Sequence, residues 1–273
     1  MLRFLVRDEV IFRLLYKALF AYKSMGFWFI VEQVIREADI TLFVLDARMP
    51  ELSRNTELEA LVQRRGRPLV TVFTRIDLVS PASLVALREQ YPDAFFVSGT
   101  RNIGLKELKT RLMIMGKRLG KDSPKVGVIG YPNIGKSAII NALAHRARAA
   151  VSPKAGTTRG IQFVRAGALR ILDSPGVIPY EDKETKLGML AAKNIEKIKD
   201  PERVAIQVIA LFLSKDRAAL EKQYGIVLEG DEPLAIIEQI GRHRGFLKRG
   251  GNVDDVKAAM NIVRDWQRGK LKL

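Results

Sequence analysis

The sequence predicts an α/β chain built as a doubly wound, six-stranded and mainly parallel sheet, followed by a small all-helical domain. Three observations predict it. Short β-rich apolar runs alternate with segments of helical spacing. The chemically suggestive motifs sit at the C-terminal ends of those runs, where an open α/β sheet collects its ligands. From Asp182 onward the text turns wholly helical. With 273 residues and 47% hydrophobic content, the chain has room for one sizeable core and a smaller appendage.

At the N-terminus, Leu5, Phe12, Leu15 and Leu19 recur at helical spacing, which predicts a helix within residues 1–23. Arg7, Asp8, Glu9, Arg13 and Lys17 interrupt it, so no apolar run approaches the roughly 20 residues of a transmembrane span. A helix packed on the rest of the chain is the simpler account, and a helix lying on a membrane surface is its rival. A second helix is expected over Val31–Ala38. Three apolar runs, Ile40–Leu45, Leu69–Phe73 and Ala94–Val97, then read as parallel strands with helical crossovers. Gly116–Lys125 reads as a connection, and three more strands are expected at Val126–Ile129, Ile161–Arg165 and Leu169–Leu172. These elements bound a domain over residues 24–181. A helical domain over 182–273 should end in two or three amphipathic helices around a turn at Arg249–Asn252.

The strand Val126–Ile129 runs into Gly130-Tyr-Pro-Asn-Ile-Gly-Lys-Ser137 and then into a helical stretch, the context a phosphate loop requires. Gly130 and Gly135 let main-chain N–H groups close around phosphate oxygens, at the positive end of the following helix. Asn133, Ile134 and Ala138 belong to the same binding stretch. Lys136 would bridge the terminal phosphates and Ser137 would ligate Mg²⁺. Further along, Asp173-Ser-Pro-Gly176 ends a strand; Asp173 would hold Mg²⁺ through water, and Gly176 would offer its N–H to the γ-phosphate. Between them, Thr158 of Ala155–Arg159 would complete the metal shell as a mobile switch.

Two motifs precede the phosphate loop. Thr74-Arg-Ile-Asp77 ends one strand and Ser98-Gly-Thr100 another. Asp77 could accept from the N1–H and exocyclic amine of guanine, a pairing adenine cannot make; Ser98 and Gly99 would bring backbone donors to its O6, beside Thr100. Thr74 and Arg75 complete the base-binding set.

The formal charge of +16 and a pI near 10.1 exceed what solubility requires and favour a polyanionic partner. Between Gly241 and Leu273 nine Lys or Arg face three Asp, and Arg242, Arg244, Lys248 and Arg249 are the candidate RNA contacts. The simpler account of such a run is a solvated helical face. The chain has no cysteine, which excludes disulfides and thiolate metal sites and fits a reducing cytosol.

Taken together, the five motifs resemble those of Ras-like P-loop GTPases in rotated order, with the guanine motifs first. That order is similar to the circularly permuted GTPases. Leu45-Asp-Ala-Arg48 and Leu247–Gly251 look most like the ribosome biogenesis GTPase A group. The resemblance implies a cytoplasmic, monomeric GTP- and GDP-binding protein, using Mg²⁺ and acting on large-subunit ribosomal RNA. Asn133 is similar to a residue that supports K⁺ in some relatives. Arg75 departs from the usual Lys but can still lay its stem over the base, and Gly99 replaces a common Ala, which reads as a small change. Val177 stands where Ras has the water-orienting glutamine, and Tyr22–Phe29 contains no histidine to replace it. Slow hydrolysis that a partner accelerates is therefore expected, with no catalytic residue assigned. The alternatives are an RNA-binding module that only senses GTP, and a membrane-surface GTPase.

Overall fold

The computed structural model describes residues 28–145, 162–179 and 182–273. The helix expected at 1–23 and the switch residue Thr158 lie outside the described residues.

A helix over residues 28–37 (α1) leads into strand β1 (Ile40–Asp46), and the short helix α2 (Pro50–Ser53) and α3 (Thr56–Arg64) lead to β2 (Leu69–Thr74). A 3-10 turn (Ile76–Leu78), α4 (Pro81–Gln90), the short strand β3 (Phe95–Phe96) and α5 (Leu105–Arg118) follow. Then come β4 (Lys125–Ile129), α6 (Lys136–His145), β5 (Gln162–Ala166) and β6 (Leu169–Asp173). The six strands form one sheet in the order β3-β2-β1-β4-β6-β5. Every pairing is parallel except the β5–β6 hairpin at one edge. β3 is shorter than the expected Ala94–Val97, although Val97 N–H still donates to Phe73 O at 2.8 Å.

β1 is buried along its whole length, as a central parallel strand covered on both faces must be. Because successive side chains point to opposite faces, Ile40, Leu42 and Val44 enter one apolar cluster while Phe43 and Leu45 enter the other. α1 lies flat on the second face. A Cβ at Gly127 would stand 2.9 Å from Val34 and 3.0 Å from Ala38, so this strand position needs glycine for the helix to approach. Strand order reverses between β1 and β4. The crevice at their C-terminal ends is the topological switch point, where ligands of such sheets bind.

After β6 come α7 (Glu184–Met189), α8 (Pro201–Lys215), α9 (Arg217–Tyr224), α10 (Pro233–His243) and α11 (Asp255–Gln267). Side chains of Asp200, Asp216, Glu232 and Asp254 accept N–H bonds at the starts of α8 to α11, satisfying donors a helix end leaves free. The expected turn at Arg249–Asn252 joins α10 to α11. Among the described residues the apolar core continues from the sheet into these helices. One buried cluster runs from Leu42 and Val128 through Val208 and Phe212 to Trp266 and Leu273.

The anchor of this region is electrostatic as well as apolar. Arg48, only 1% exposed, donates Nε and Nη2 to the two carboxylate oxygens of Asp46 at 3.1 and 2.9 Å. Its Nη1 donates to Trp266 O at 3.0 Å, and its guanidinium lies 3.8 Å from the centroid of the Trp266 ring. Trp266 in turn donates its indole N–H to Met189 O at 2.8 Å. Burial alone would raise the Asp46 carboxyl, but the charges of Arg48 and Arg75, with hydrogen bonds from Arg48, hold it below the usual carboxylate range. No helix among the described residues is long and apolar enough to cross a membrane.

Arg48→Leu should destabilise the chain by about 3–5 kcal/mol in urea unfolding at pH 7, because a buried carboxylate loses its main partner. A carboxylate with a depressed folded pKa contributes stability above its unfolded value, lost as pH falls through the folded value. The gap between wild type and variant should therefore be widest near neutrality and narrow as pH drops below about 4. A gap independent of pH would contradict this.

Candidate functional site

The loop between β4 and α6 wraps the switch point. Ile134 is buried under it, and Ser137 stands exposed on the first turn of α6. The Lys136 ammonium donates to the loop's own carbonyls, Gly130 O at 3.0 Å and Tyr131 O at 2.7 Å. Burial lowers this amine to about 8, opposed by the charge of Asp173. Burial also raises the Asp173 carboxyl, and Lys136 partly offsets it. Asp173 lies beside Val128 in the β4–β6 register, at the end of the strand that leads to Ser174 and Gly176.

Gly176 sits against the loop. A Cβ there would come within 2.3 Å of Pro132 N, so no larger residue fits while the two backbones touch. Val177 N–H then donates to Gly130 O at 3.3 Å. The Val177 side chain turns away and is buried with Phe43, Ile129 and Leu172 in the cluster on the far face of the sheet.

The end of β2 is tied to the same loop. The Thr74 hydroxyl lies 2.7 Å from Ile134 O and 3.0 Å from Leu45 O. Arg75 occupies the left-handed region at φ 60°, a conformation costing a non-glycine residue of order 1 kcal/mol or more. The strain is held by two bonds: Nη1 to Asp46 at 2.7 Å and Nη2 to Asn133 O at 2.6 Å. Arg75 thus reaches the loop backbone itself, besides lining the space beside it.

Ser98 is buried and its hydroxyl accepts from Arg101 N–H at 3.1 Å, bending the chain after β3. The expectation that Gly99 for Ala is a small change is corrected here. A Cβ at position 99 would stand 2.9 Å from the Ala138 Cβ and 2.8 Å from its carbonyl carbon. Glycine is what lets this turn pack on the first turn of α6.

A cleft of about 340 Å³ opens between these segments. Thr74, Arg75, Asp77, Ser98, Gly99, Thr100, Asn133, Gly135 and Ala138 all line it. So do Gln267, Arg268 and Gly269, from the end of α11, which sequence reasoning missed. No local pattern marks them, since they face the cleft only because the last helix docks there. Lys136, Ser137, Asp173 and Gly176 gather next to this cleft around the loop, whereas Arg242, Arg244, Lys248 and Arg249 stand exposed around the α10–α11 turn. There the Arg242 guanidinium pairs with Glu238 at 2.9 Å, and that of Arg244 donates to Gln223 O at 3.3 Å.

Two features outside the expected set tie the loop to the C-terminal helices. Asn133 donates its amide to Ala191 O at 3.0 Å, and the Tyr131 hydroxyl donates to Asp182. Gln267 completes the chain of contacts, donating to Gly188 O at 2.9 Å and Lys193 O at 3.1 Å.

Comparison with known proteins agrees with this arrangement. A family model described as 50S ribosome-binding GTPase matches residues 125–238. An uncharacterized GTP-binding protein of Methanocaldococcus jannaschii is 37% identical, covering 92% of this chain and 67% of its own length. The GTPase grn1 of Schizosaccharomyces pombe is 34% identical over 88% of this chain and 60% of its own, and the nuclear GTP-binding protein NUG1 of Saccharomyces cerevisiae 30% over 89% and 54%. The chain spans about half to two thirds of the length of these curated relatives. Among solved structures, GDP-bound YlqF of T. maritima superposes with a TM-score of 0.56 at 22% identity, covering 89% of this chain and 95% of that one. The GNP-bound form gives 0.53 at 20%, over 89% and 93%. The fold is therefore the permuted one that the order of motifs implies, and the chain belongs to the family of GTP-binding proteins that includes the Methanocaldococcus jannaschii relative.

Proposed function

We propose that the chain binds GTP and GDP in the cleft at the β1–β4 switch point, hydrolyses GTP slowly, and serves as an assembly factor for the large ribosomal subunit. The observation that carries this reading is the convergence on one cleft of Asp77, the Ser98–Thr100 turn and the phosphate loop. Asp77 would accept from the guanine edge. Lys136, now held by loop carbonyls, would exchange them for phosphate oxygens, and its lowered amine would be restored to full charge by the phosphate. Gly176 is already against the loop, so its N–H can report whether a γ-phosphate is present.

The donors fit Mg²⁺. Among the described residues no group of three His, Cys, Asp or Glu that could hold a metal ion gathers at the site. The site offers the Ser137 hydroxyl and the Asp173 carboxylate, the sparse oxygen set Mg²⁺ takes alongside phosphate oxygens and water. Thr158 would join them in the GTP state. When bound, the ion would neutralise charge building on the phosphates. The Asn133 amide nitrogen is engaged by Ala191 O, so a potassium ion would take its oxygen.

The buried side chain of Val177 supports a slow intrinsic rate, since it cannot orient water at the phosphates. The same observation favours a second reading, a GTP-sensing RNA-binding module with almost no turnover. Domain 182–273 carries the polyanion-binding surface in either case, and the exposed α10–α11 turn with Arg242, Arg244, Lys248 and Arg249 is where large-subunit RNA would dock. The match of residues 125–238 to a 50S ribosome-binding GTPase model supports the ribosomal assignment over other polyanions. The links from Tyr131 and Asn133 to the C-terminal helices would carry nucleotide state to that surface.

The deciding experiment is GTP hydrolysis by the purified full chain with and without large ribosomal subunits, in KCl and in NaCl. Stimulation by the subunit, greater in KCl, is expected; slow turnover unchanged by subunits would leave the GTP-sensing module. Val177→Gln should lower stability by about 1–3 kcal/mol, because an amide enters an apolar cluster, and leave hydrolysis as slow as before; faster hydrolysis would contradict the orientation found for this side chain. The double variant Lys248→Glu, Arg249→Glu should weaken ribosomal RNA binding and flatten its salt dependence by about two contacts, with GDP affinity unchanged; an unaltered salt slope would move the RNA surface elsewhere.

A further inference from the structure

The helical region does more than sit beside the cleft: its last turn forms one wall. Gln267, Arg268 and Gly269 line the same space as Asp77, Ser98 and Arg75. Two further observations show that this wall is built rather than incidental. Gly269 adopts φ 72°, so the backbone conformation favours glycine at the point where the tail touches the Asp77 turn, and a Cβ there would press on the side chain of Leu78, 2.8 Å from its Cδ1. Beyond it, Leu271 and Leu273 are buried, and Leu273 N–H donates to Leu78 O at 2.9 Å. The turn bearing Asp77 is thus held from one side by Arg75 and its bonds to Asp46 and Asn133, and from the other by the tail.

Resting on the guanine-nucleotide reading of the cleft, we infer that Arg268 is a base-contacting residue, covering the purine from the side of the C-terminal helix. Its main chain is fixed, since its N–H donates to Arg264 O at 3.0 Å and Gly269 N–H to Trp266 O at 3.1 Å, while its side chain stays exposed at the cleft. A planar guanidinium in this place stacks on an aromatic ring and reads no edge. Arg268 therefore contributes affinity for the base as such, and Asp77 supplies the preference for guanine. One consequence separates this from a merely structural tail: the contribution of Arg268 must vanish for a ligand without a base.

The test uses the full chain and three variants, Arg268→Ala, Arg268→Lys and Asp77→Asn, with GDP, xanthosine diphosphate and pyrophosphate as ligands in equilibrium binding. Arg268→Ala should weaken GDP about tenfold, with pyrophosphate affinity and melting temperature unchanged, and Arg268→Lys should recover only part of the loss. Asp77→Asn should exchange GDP for xanthosine diphosphate, and adding Arg268→Ala to it should weaken xanthosine diphosphate by the same factor. Equal GDP affinity in wild type and Arg268→Ala would overturn the inference, as would a parallel loss for pyrophosphate. Absence of GDP binding by the wild type would instead sink the nucleotide reading on which it rests.

Discussion

The fold and the site depend on one buried carboxylate. Asp46 ends the central strand at the place where strand order reverses, and it is fully enclosed. A lone charge there would be prohibitively costly, so it persists only because two guanidinium groups meet it in good geometry. Those groups face opposite ways. Arg48 is bonded onward to Trp266 in the last helix, and Arg75 to the phosphate loop. One charge cluster therefore sets the position of the loop, of the strained residue before Asp77 and of the C-terminal helices together.

Such a cluster is a poor source of net stability, yet it is effective at specifying a single arrangement, because each charge is satisfied only when all its partners are in register. The rest of the wiring runs parallel to it. Tyr131 and Asn133 join the loop to Asp182 and Ala191, and Trp266 and Gln267 join Met189 and Gly188 to the last helix. The loop and the C-terminal helices are thereby joined by a route of hydrogen bonds, one of them buried and the others partly buried. In a permuted chain this is the natural route, since the segment after Gly176 leads straight into α7.

Much of the fold was legible in the sequence because buried parallel strands are written as predominantly apolar runs; Ile40–Leu45, Val126–Ile129 and Leu169–Leu172 each fall within a residue of the observed ends. The motifs at their C-termini were legible for the same reason, as a strand, a loop and a helix follow one another locally. What could not be read depends on distant pairings. Gln267–Gly269 reach the cleft only through the docking of α11, and Arg48 becomes an anchor only once Trp266 lies across it. Gly99 looked exchangeable because its constraint comes from Ala138 on another element. Val177 was legible as a missing glutamine, but only its direction in space shows that the side chain belongs to the core.

The most direct test of this account is amide hydrogen exchange with and without GDP and Mg²⁺, followed peptide by peptide. If Asp46 and its partners join the cleft to the last helix, the nucleotide should slow exchange together in the phosphate loop, in Arg75–Leu78 and in residues 266–273. Protection confined to the phosphate loop and α6, with the C-terminal tail unchanged, would contradict it.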